Sequence, residues 1–339
     1  MLRLVTAALI GLVVLVSCGT GSGAEDGAAL RLGYFPNVTH APALVGLEER
    51  IFAAALGDVE LQAQAFNAGP DVVEAIFNGA LDASYIGPNP AINAFSQSDG
   101  QAIRIIAGAT SGGAALVVRE DITSPDQLAG ATLATPQLGN TQDVALRAWL
   151  LEQGYETDLE GGGDVSVMPQ ANAQALEAFI AGEIDGAWVP EPWAARMIDE
   201  GGGAVLVDEA ELWPDGRFVT THLIVATEFL EENPGVVKAL LTGHVDAVAF
   251  TNEQTDAAQA AVRAQIASVT GSELSSEILA ASWENLEFTV DPIATSLATS
   301  AEHATDLGLL DPTDLEGIYD LTLLNEVLAD AGEPGIPAP

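Results

Sequence analysis

From residue 30 onward the apolar positions of the chain switch repeatedly between two spacings. Alternating or continuous apolar runs over 30–34, 59–66, 82–86, 102–109 and 114–118 predict strands. Stretches with apolar residues three and four apart predict helices between them. One helix over 40–55 carries Leu44, Leu47 and Ile51 on one face and ends before Gly57. Asn67, Gly69 and Pro70 open the next, which carries Val73, Ile76 and Phe77. Gly87, Pro88, Asn89 and Pro90 lead into another, with Asn89 as its predicted N-cap. A second series then retraces the first. It predicts a strand over 131–134, a loop over 135–140, a helix over 141–153, a strand over 165–168, a helix near 173–181, and strands over 185–189 and 204–207. A β-rich run over 218–226 precedes a mostly helical remainder, 234–328.

The retracing is visible as an internal repeat. VEAIFNGALDASYIGPNPAI, from Val73, is echoed 103 positions on by LEAFIAGEIDGAWVPEPWAA, from Leu176. Glu74, Ala75, Gly79, Asp82 and Ala91 align with Glu177, Ala178, Gly182, Asp185 and Ala194. Each copy has a helix ending at a glycine, an Asp opening a short strand, and a proline-containing loop before another helix. Such a period is too long for a solenoid, so two similar α/β lobes with a cleft between them are expected. The chain should cross between lobes near 119–121 and 217–220. That places residues 30–120 and 218–339 in one lobe and 121–217 in the other.

Strand, loop, helix alternation predicts parallel-rich sheets with right-handed crossovers. Ligands then bind beyond the carboxyl ends of the strands. The loops so placed are 34–40, 67–70, 87–90, 111–113, 137–142 and 190–193. Most of them enter helices at the N-terminus, where unpaired N–H groups and the helix dipole favour an anion.

At the start of the chain, Met1, Leu2 and Arg3 precede an apolar run over 4–16, then Ser17 and Cys18, the only cysteine. The run is short for a membrane span and reads as a secretory signal over 1–17. Leu15, Val16, Ser17 and Cys18 resemble a lipobox, which makes Cys18 the expected lipidated N-terminus. Residues 18–29 form a small-residue tether. A single cysteine rules out internal disulfides. Forty-nine acidic residues against ten basic ones give a formal charge of −39. Nucleic acid and anionic membrane surfaces are therefore poor partners, and contact with the membrane is expected through the lipid alone.

The strings LGYFPNVTHAPALVGLE, GALDASYIGPNPAI, TPQLGNTQDVALRAWL and GAWVPEPWAARM together resemble the nitrate, sulfonate, taurine and bicarbonate group of solute-binding lipoproteins. These serve ATP-binding-cassette importers. The resemblance runs from Leu30 to about Leu241. It implies a two-lobed, hinge-closing type II periplasmic-binding-protein fold, with a permease and its ATPase as partners, and a monomeric receptor held outside the cytoplasmic membrane. It also implies ligand contacts at Phe35, Asn37, His40, Gly87, Asn89, Asn140, Thr141 and Trp188.

Ser111 and Glu191 join these candidates because they lie on the expected cleft loops, and Glu191 hints at an amine on the solute. Capping is the ordinary role of an Asn such as Asn37, and Trp188 and Trp193 could as readily be core. His40, His222, His244 and His303 are not at metal-ligand spacing, so no metal and no cofactor are expected. Asp82 and Asp185 occupy equivalent strand starts away from the cleft and read as structural caps. Gly161–Gly163 and Gly201–Gly203 lack a nucleotide fingerprint, and no GxSxG or HExxH occurs. An enzyme related to thiamine-pyrimidine synthases is the alternative of another class, but those enzymes use a cysteine-rich motif that is missing here. The expected solute is a small organic oxyanion of sulfonate type. Nitrate, bicarbonate, taurine and a pyrimidine precursor are the alternatives.

Overall fold

The computed structural model describes residues 29–337. The signal segment, Cys18 and all of the tether except Ala29 lie outside the described residues. The first series folds as β1 (Ala29–Tyr34), α1 (Ala41–Glu48), α2 (Ile51–Leu56), β2 (Glu60–Ala65), α3 (Gly69–Phe77), β3 (Ala83–Ile86), α4 (Pro88–Gln97) and β4 (Ile103–Gly112). The second is β5 (Ala114–Arg119), β6 (Thr132–Thr135), α5 (Thr141–Glu152), β7 (Ser166–Pro169), α6 (Asn172–Ala181), β8 (Gly186–Pro190), α7 (Trp193–Asp199) and β9 (Gly203–Asp208). The chain returns through β10 (Val219–Ala226) and ends in α8 (Thr227–Glu232), α9 (Pro234–Glu253), α10 (Thr255–Thr270), α11 (Ser276–Glu284), β11 (Leu286–Phe288), α12 (Ala294–Asp306) and α13 (Thr322–Ala331).

Two sheets result, in the orders β11-β4-β10-β3-β1-β2 and β7-β6-β8-β5-β9. They are mixed, not parallel-rich. In the first, β2, β1 and β3 run parallel, while β10 runs antiparallel to β3 and β4. In the second, β7, β6 and β8 run parallel and β5 runs antiparallel to β8 and β9. The reason is connectivity: β5 and β10 arrive from the other sheet directly, without a crossover helix to reverse the chain.

The first crossing also lies earlier than the sequence suggested. β4 ends at Gly112 and β5 begins at Ala114, so the passage is at Gly113 and not at 119–121. Gly112 and Gly113 take φ of 81° and 74°, and a Cβ on Gly113 would run into the Leu286 side chain. The crossing therefore depends on glycine. The return passage lies between Asp208 and Val219.

The repeat seen in the sequence is a structural one. β3 and β8 pair in parallel with β1 and β6, Leu32 opposite Ala83 and Leu133 opposite Gly186. Asp82 accepts the backbone N–H of Arg31 at 2.7 Å, and Asp185 accepts that of Thr132 at 2.8 Å. Each Asp thus stitches its strand to the start of the neighbouring one, a structural role.

Helices cover both faces of each sheet. Leu30, Leu32, Leu44, Phe52, Tyr85 and Leu240 fill one side of the first sheet, and Val72, Ile76, Ile92, Phe95 and Leu297 the other. Full burial of such a side chain contributes about 1.5–3 kcal/mol. The helix expected over 40–55 is broken in two at Arg50, where φ is 57°. The break turns the Phe52 ring onto Gly46 and Gly243, where any larger residue would collide with it.

Candidate functional site

The loops after β1, β2, β3, β6, β7 and β8 meet between the two sheets. They enclose a cavity with about 20 Å³ open to the centre of a water molecule, and beside it, sharing Asn37, Asn67 and Asn172 as walls, lies a chamber of about 340 Å³. From the first sheet the inner cavity receives Phe35, Asn37, Thr39, His40, Asn67 and Gly87, with Thr220 of β10. From the second it receives Pro136, Asn140, Thr141, Gln142, Asn172 and Pro190. Neither an Asp, a Glu, a Lys nor an Arg is among these lining residues.

Three helix N-termini converge here. α3, α4 and α5 start at Gly69, Pro88 and Thr141, and none of the three N-cap residues, Ala68, Gly87 and Asn140, accepts an N–H of its own helix through its side chain. A Cβ on Gly69 would lie 3.6 Å from Asn140 Oδ1, and one on Gly87 would collide with Thr141 Oγ1, so α3 and α4 abut α5 across the cleft. Prolines at the first helical turns of α3 and α4 fix these entries. Thr141 Oγ1 and Asn172 Oδ1 are buried without a hydrogen-bond partner. Such groups are costly unless something in the cavity pairs with them.

His40 is 2% exposed, and burial pushes its imidazole down to about 3, so it is neutral at ordinary pH. Its Nδ1 accepts the Phe35 N–H at 3.3 Å. An accepting Nδ1 places the single ring proton on Nε2, which makes Nε2 a donor.

The α5 entrance is held from behind. Asp143, fully buried, accepts the Thr135 hydroxyl at 2.8 Å, the Gly139 N–H at 3.0 Å and Arg147 Nε at 3.1 Å. Arg147 is 1% exposed and donates from Nη1 to the Asp158 carbonyl at 2.7 Å. The pair cancels in charge, so the 136–140 turn is anchored without placing a net negative charge behind the N-terminus of α5.

Of the sequence candidates, Phe35, Asn37, His40, Gly87, Asn140 and Thr141 come together. Asn37 does not cap the turn that follows it; its Oδ1 accepts Trp193 Nε1 at 3.0 Å, across the cleft. Four candidates point elsewhere. Asn89 is not the cap of α4, because Pro88 already occupies the first helical position and Gly87 the cap; its Nδ2 donates to the Ser300 carbonyl at 3.2 Å. Ser111 lies within β4, not in a loop, and its Oγ accepts the Phe218 N–H at 3.3 Å. Trp188 is fully buried: strand alternation sends Ala187 and Val189 to the α6 and α7 face and Trp188 to the α5 face, against Trp149 with centroids 5.9 Å apart. Glu191 is 2% exposed, and its carboxylate accepts Ala195 N, Ser282 Oγ and Asn285 Nδ2 at 3.1, 3.0 and 2.8 Å, which leaves no face for a solute amine. Burial raises its pKa despite these bonds.

The cleft tryptophan is Trp193. It lines the outer chamber with Pro36, Leu176, Ile266 and Leu274, and the Arg196 guanidinium lies over its ring at 4.9 Å. Asn67, Thr39 and Pro190 join the lining from the expected cleft loops, whereas Asn172 and Thr220 lie outside those loops. Two of them are marked by the repeat, since Pro190 corresponds to Gly87 and Asn172 to Gly69. Among the described residues no group of three or more His, Cys, Asp or Glu is placed to hold a metal.

The fold recurs in proteins of known structure. The alkanesulfonate-binding protein SsuA of Xanthomonas axonopodis pv. citri, bound to MOPS, matches with a TM-score of 0.69 at 18% identity over 84% of this chain and 95% of its own. The nitrate-binding protein NrtA of Synechocystis PCC 6803 matches with a TM-score of 0.73 at 16% identity over 91% and 90%. At these identities the likeness establishes the fold, that of the periplasmic binding proteins. By sequence, the taurine-binding periplasmic protein of Escherichia coli K12 is 28% identical over 209 residues, 61% of this chain. The chain spans less than two thirds of the curated relatives it matches first, 62% of this one and 54% of the next. A family model covers residues 23–268, both copies of the repeat and every wall of the inner cavity, and the chain belongs to the NMT1-like family.

Proposed function

We propose that the protein is the extracytoplasmic solute-binding component of an ATP-binding-cassette importer, capturing a small organic oxyanion of sulfonate type and delivering it to a permease. The observation that carries this reading is the convergence of three uncapped helix N-termini on a cavity whose walls bear no formal charge. Helix-end N–H groups, the Thr141 hydroxyl, the Asn140 amide and His40 Nε2–H supply donors to anionic oxygens without a cation. The oxyanion head fits the inner cavity and the organic tail the outer chamber, against Trp193 and not Trp188. The taurine-, nitrate- and alkanesulfonate-binding activities named for the relatives share that head chemistry. Lipidation at Cys18 would hold the receptor to the membrane.

The test is calorimetry with ethanesulfonate, taurine, nitrate and bicarbonate, and with ethanol as the neutral comparison for the ethyl tail. Ethanesulfonate and taurine should bind saturably, ethanol should not, and the inorganic ions should bind more weakly for want of a tail. Binding of neutral or cationic solutes alone would refute the oxyanion reading.

A further inference from the structure

A separate cavity of about 150 Å³ lies where α5 and the 209–213 segment face α12, walled among others by Trp149, Glu152, Glu209, Leu212, Trp213 and His303. Glu209 is 2% exposed, and its Oε2 accepts Trp188 Nε1 at 2.7 Å. The Trp213 N–H stands beside the same carboxylate but forms no aligned hydrogen bond. Among the described residues no Lys, Arg or His pairs with Glu209. A carboxylate withdrawn from water without a positive partner is costly, and burial pushes this one up to about 7. The two indoles are fixed from behind: Trp213 stacks on Phe218 at 5.6 Å and Trp149 packs on Trp188 at 5.9 Å.

The chemistry missing from this cavity is a positive charge with an apolar coat. A cavity of about 150 Å³ accepts a molecule the size of benzene. Indole faces attract weakly hydrated cations, and a buried carboxylate gives such a cation its counter-charge. A bare metal ion would be poorly served, because hard cations require six or more oxygens. The net charge of −39 favours any cation approaching the surface.

We propose that this cavity is a second ligand site, distinct from the cleft, which takes a small alkylated ammonium ion with Glu209 as counter-ion and Trp149 and Trp213 as walls. Its occupant would touch both α5, whose other end forms the cleft, and α12, which packs on α4 of the first sheet.

The full-length protein should be titrated at pH 8 with tetramethylammonium chloride and choline chloride, against sodium chloride at equal ionic strength, by calorimetry and tryptophan fluorescence. Both ammonium salts should bind saturably and sodium chloride should not. Affinity should fall at least tenfold in Glu209→Gln and in Trp213→Leu, and stay unchanged in the cleft variant Thr141→Ala. Binding should also weaken at pH 5.5, where Glu209 is protonated. Asp208 beside it, Glu152 on α5 and His303 on α12 are the other titratable groups around the cavity, and a pH dependence retained in Glu152→Gln, Asp208→Asn and His303→Gln assigns it to Glu209. If Glu209→Gln does not fold, Trp213→Leu and His303→Lys, which brings its own ammonium into the cavity, carry the test, and both should lower affinity at least tenfold. No saturable response above sodium chloride, or a response indifferent to these substitutions, overturns the site.

Discussion

Gly87→Ala separates closure of the cleft from stability of the fold. Gly87 has φ −72° and ψ 161°, a conformation open to alanine, so the substitution costs the fold only the difference between glycine and alanine at a helix cap, about 0.5–1 kcal/mol. In the arrangement seen here, with α4 against α5, the new methyl would however meet Thr141 Oγ1 on the facing helix well inside contact distance. Its next neighbours, Thr141 Cβ at 3.6 Å and the Thr220 carbonyl at 3.7 Å, are ordinary contacts. The single offending atom falls roughly 1 Å short of the usual separation of about 3.5 Å, and over-packing of that order costs about 1–3 kcal/mol. Affinity for ethanesulfonate should therefore drop about 5- to 150-fold while the ligand-free melting temperature barely moves. Removing the offending atom supplies the control, since in a Thr141→Ala background Gly87→Ala should cost far less. Calorimetry on the four proteins, with melting curves of each without ligand, closes the cycle. An unchanged affinity in Gly87→Ala, or an equal loss in both backgrounds, would refute the steric argument.

Asn140→Ala and Thr141→Ala should each weaken oxyanion binding by about 1.5–3 kcal/mol, the range for hydrogen bonds to charged groups; silence of both in calorimetry would remove α5 from the site. Asp143→Asn should lower unfolding free energy in urea by about 3–5 kcal/mol, because Arg147 is left buried and unpaired, and a loss below 1 kcal/mol would show that the pair is dispensable. Acid should also destabilise the protein. His40, His222 and His244 are pushed down by burial to about 3, 4 and 4, so below pH 6.5 the unfolded chain gains protons that the folded one refuses, and each costs about 1.4 kcal/mol per pH unit. Glu209, raised to about 7, and Glu191, also raised, act in the opposite sense, since the folded state holds their protons above pH 4.5. Three groups against two leave a net loss, so urea midpoints at pH 7.5 and pH 5 should fall in that order, and equal midpoints would contradict the assignment. Cys18→Ser should release the protein from membranes or leave it unprocessed, as judged by fractionation and intact mass; a diacylglyceryl mass at another residue would overturn the anchor.

Much of the cleft was legible because it is built from local signals. Strand ends followed by Gly, Pro and Asn mark the 34–40, 87–90 and 137–142 loops, and the internal repeat marks their counterparts. What escaped depends on contacts distant in sequence. In the five-residue strand around Trp188 nothing local says which face is core, so two nearby tryptophans were indistinguishable until Trp149 was seen packed on one and Asn37 bonded to the other. Glu191 resembles a solute-facing acid in a cleft loop, yet the groups that bind it, Ser282 and Asn285, lie some ninety residues on. Ser111 reads as a loop residue in the sequence because strand β4 continues that far only through pairing with β10 and β11, both late in the chain. Asn89 is ambiguous for a local reason: with prolines at both 88 and 90, the sequence allows the cap at either end of the pair, and the structure puts it at Gly87.

The register that joins β5 to β9 places Ala115 directly opposite Asp208. The chain thus enters and leaves the second sheet at adjacent points, a strand spacing of about 5 Å apart, and everything between is one uninterrupted segment. Residues 114–208 accordingly form an insert with paired ends, which can be lifted out and replaced without rethreading the remainder. A chimera that accepts this segment from a relative would inherit the α5 half of the proposed anion site and keep the α3 and α4 half. Solute preference in this architecture can therefore be recombined half by half, and not only changed residue by residue.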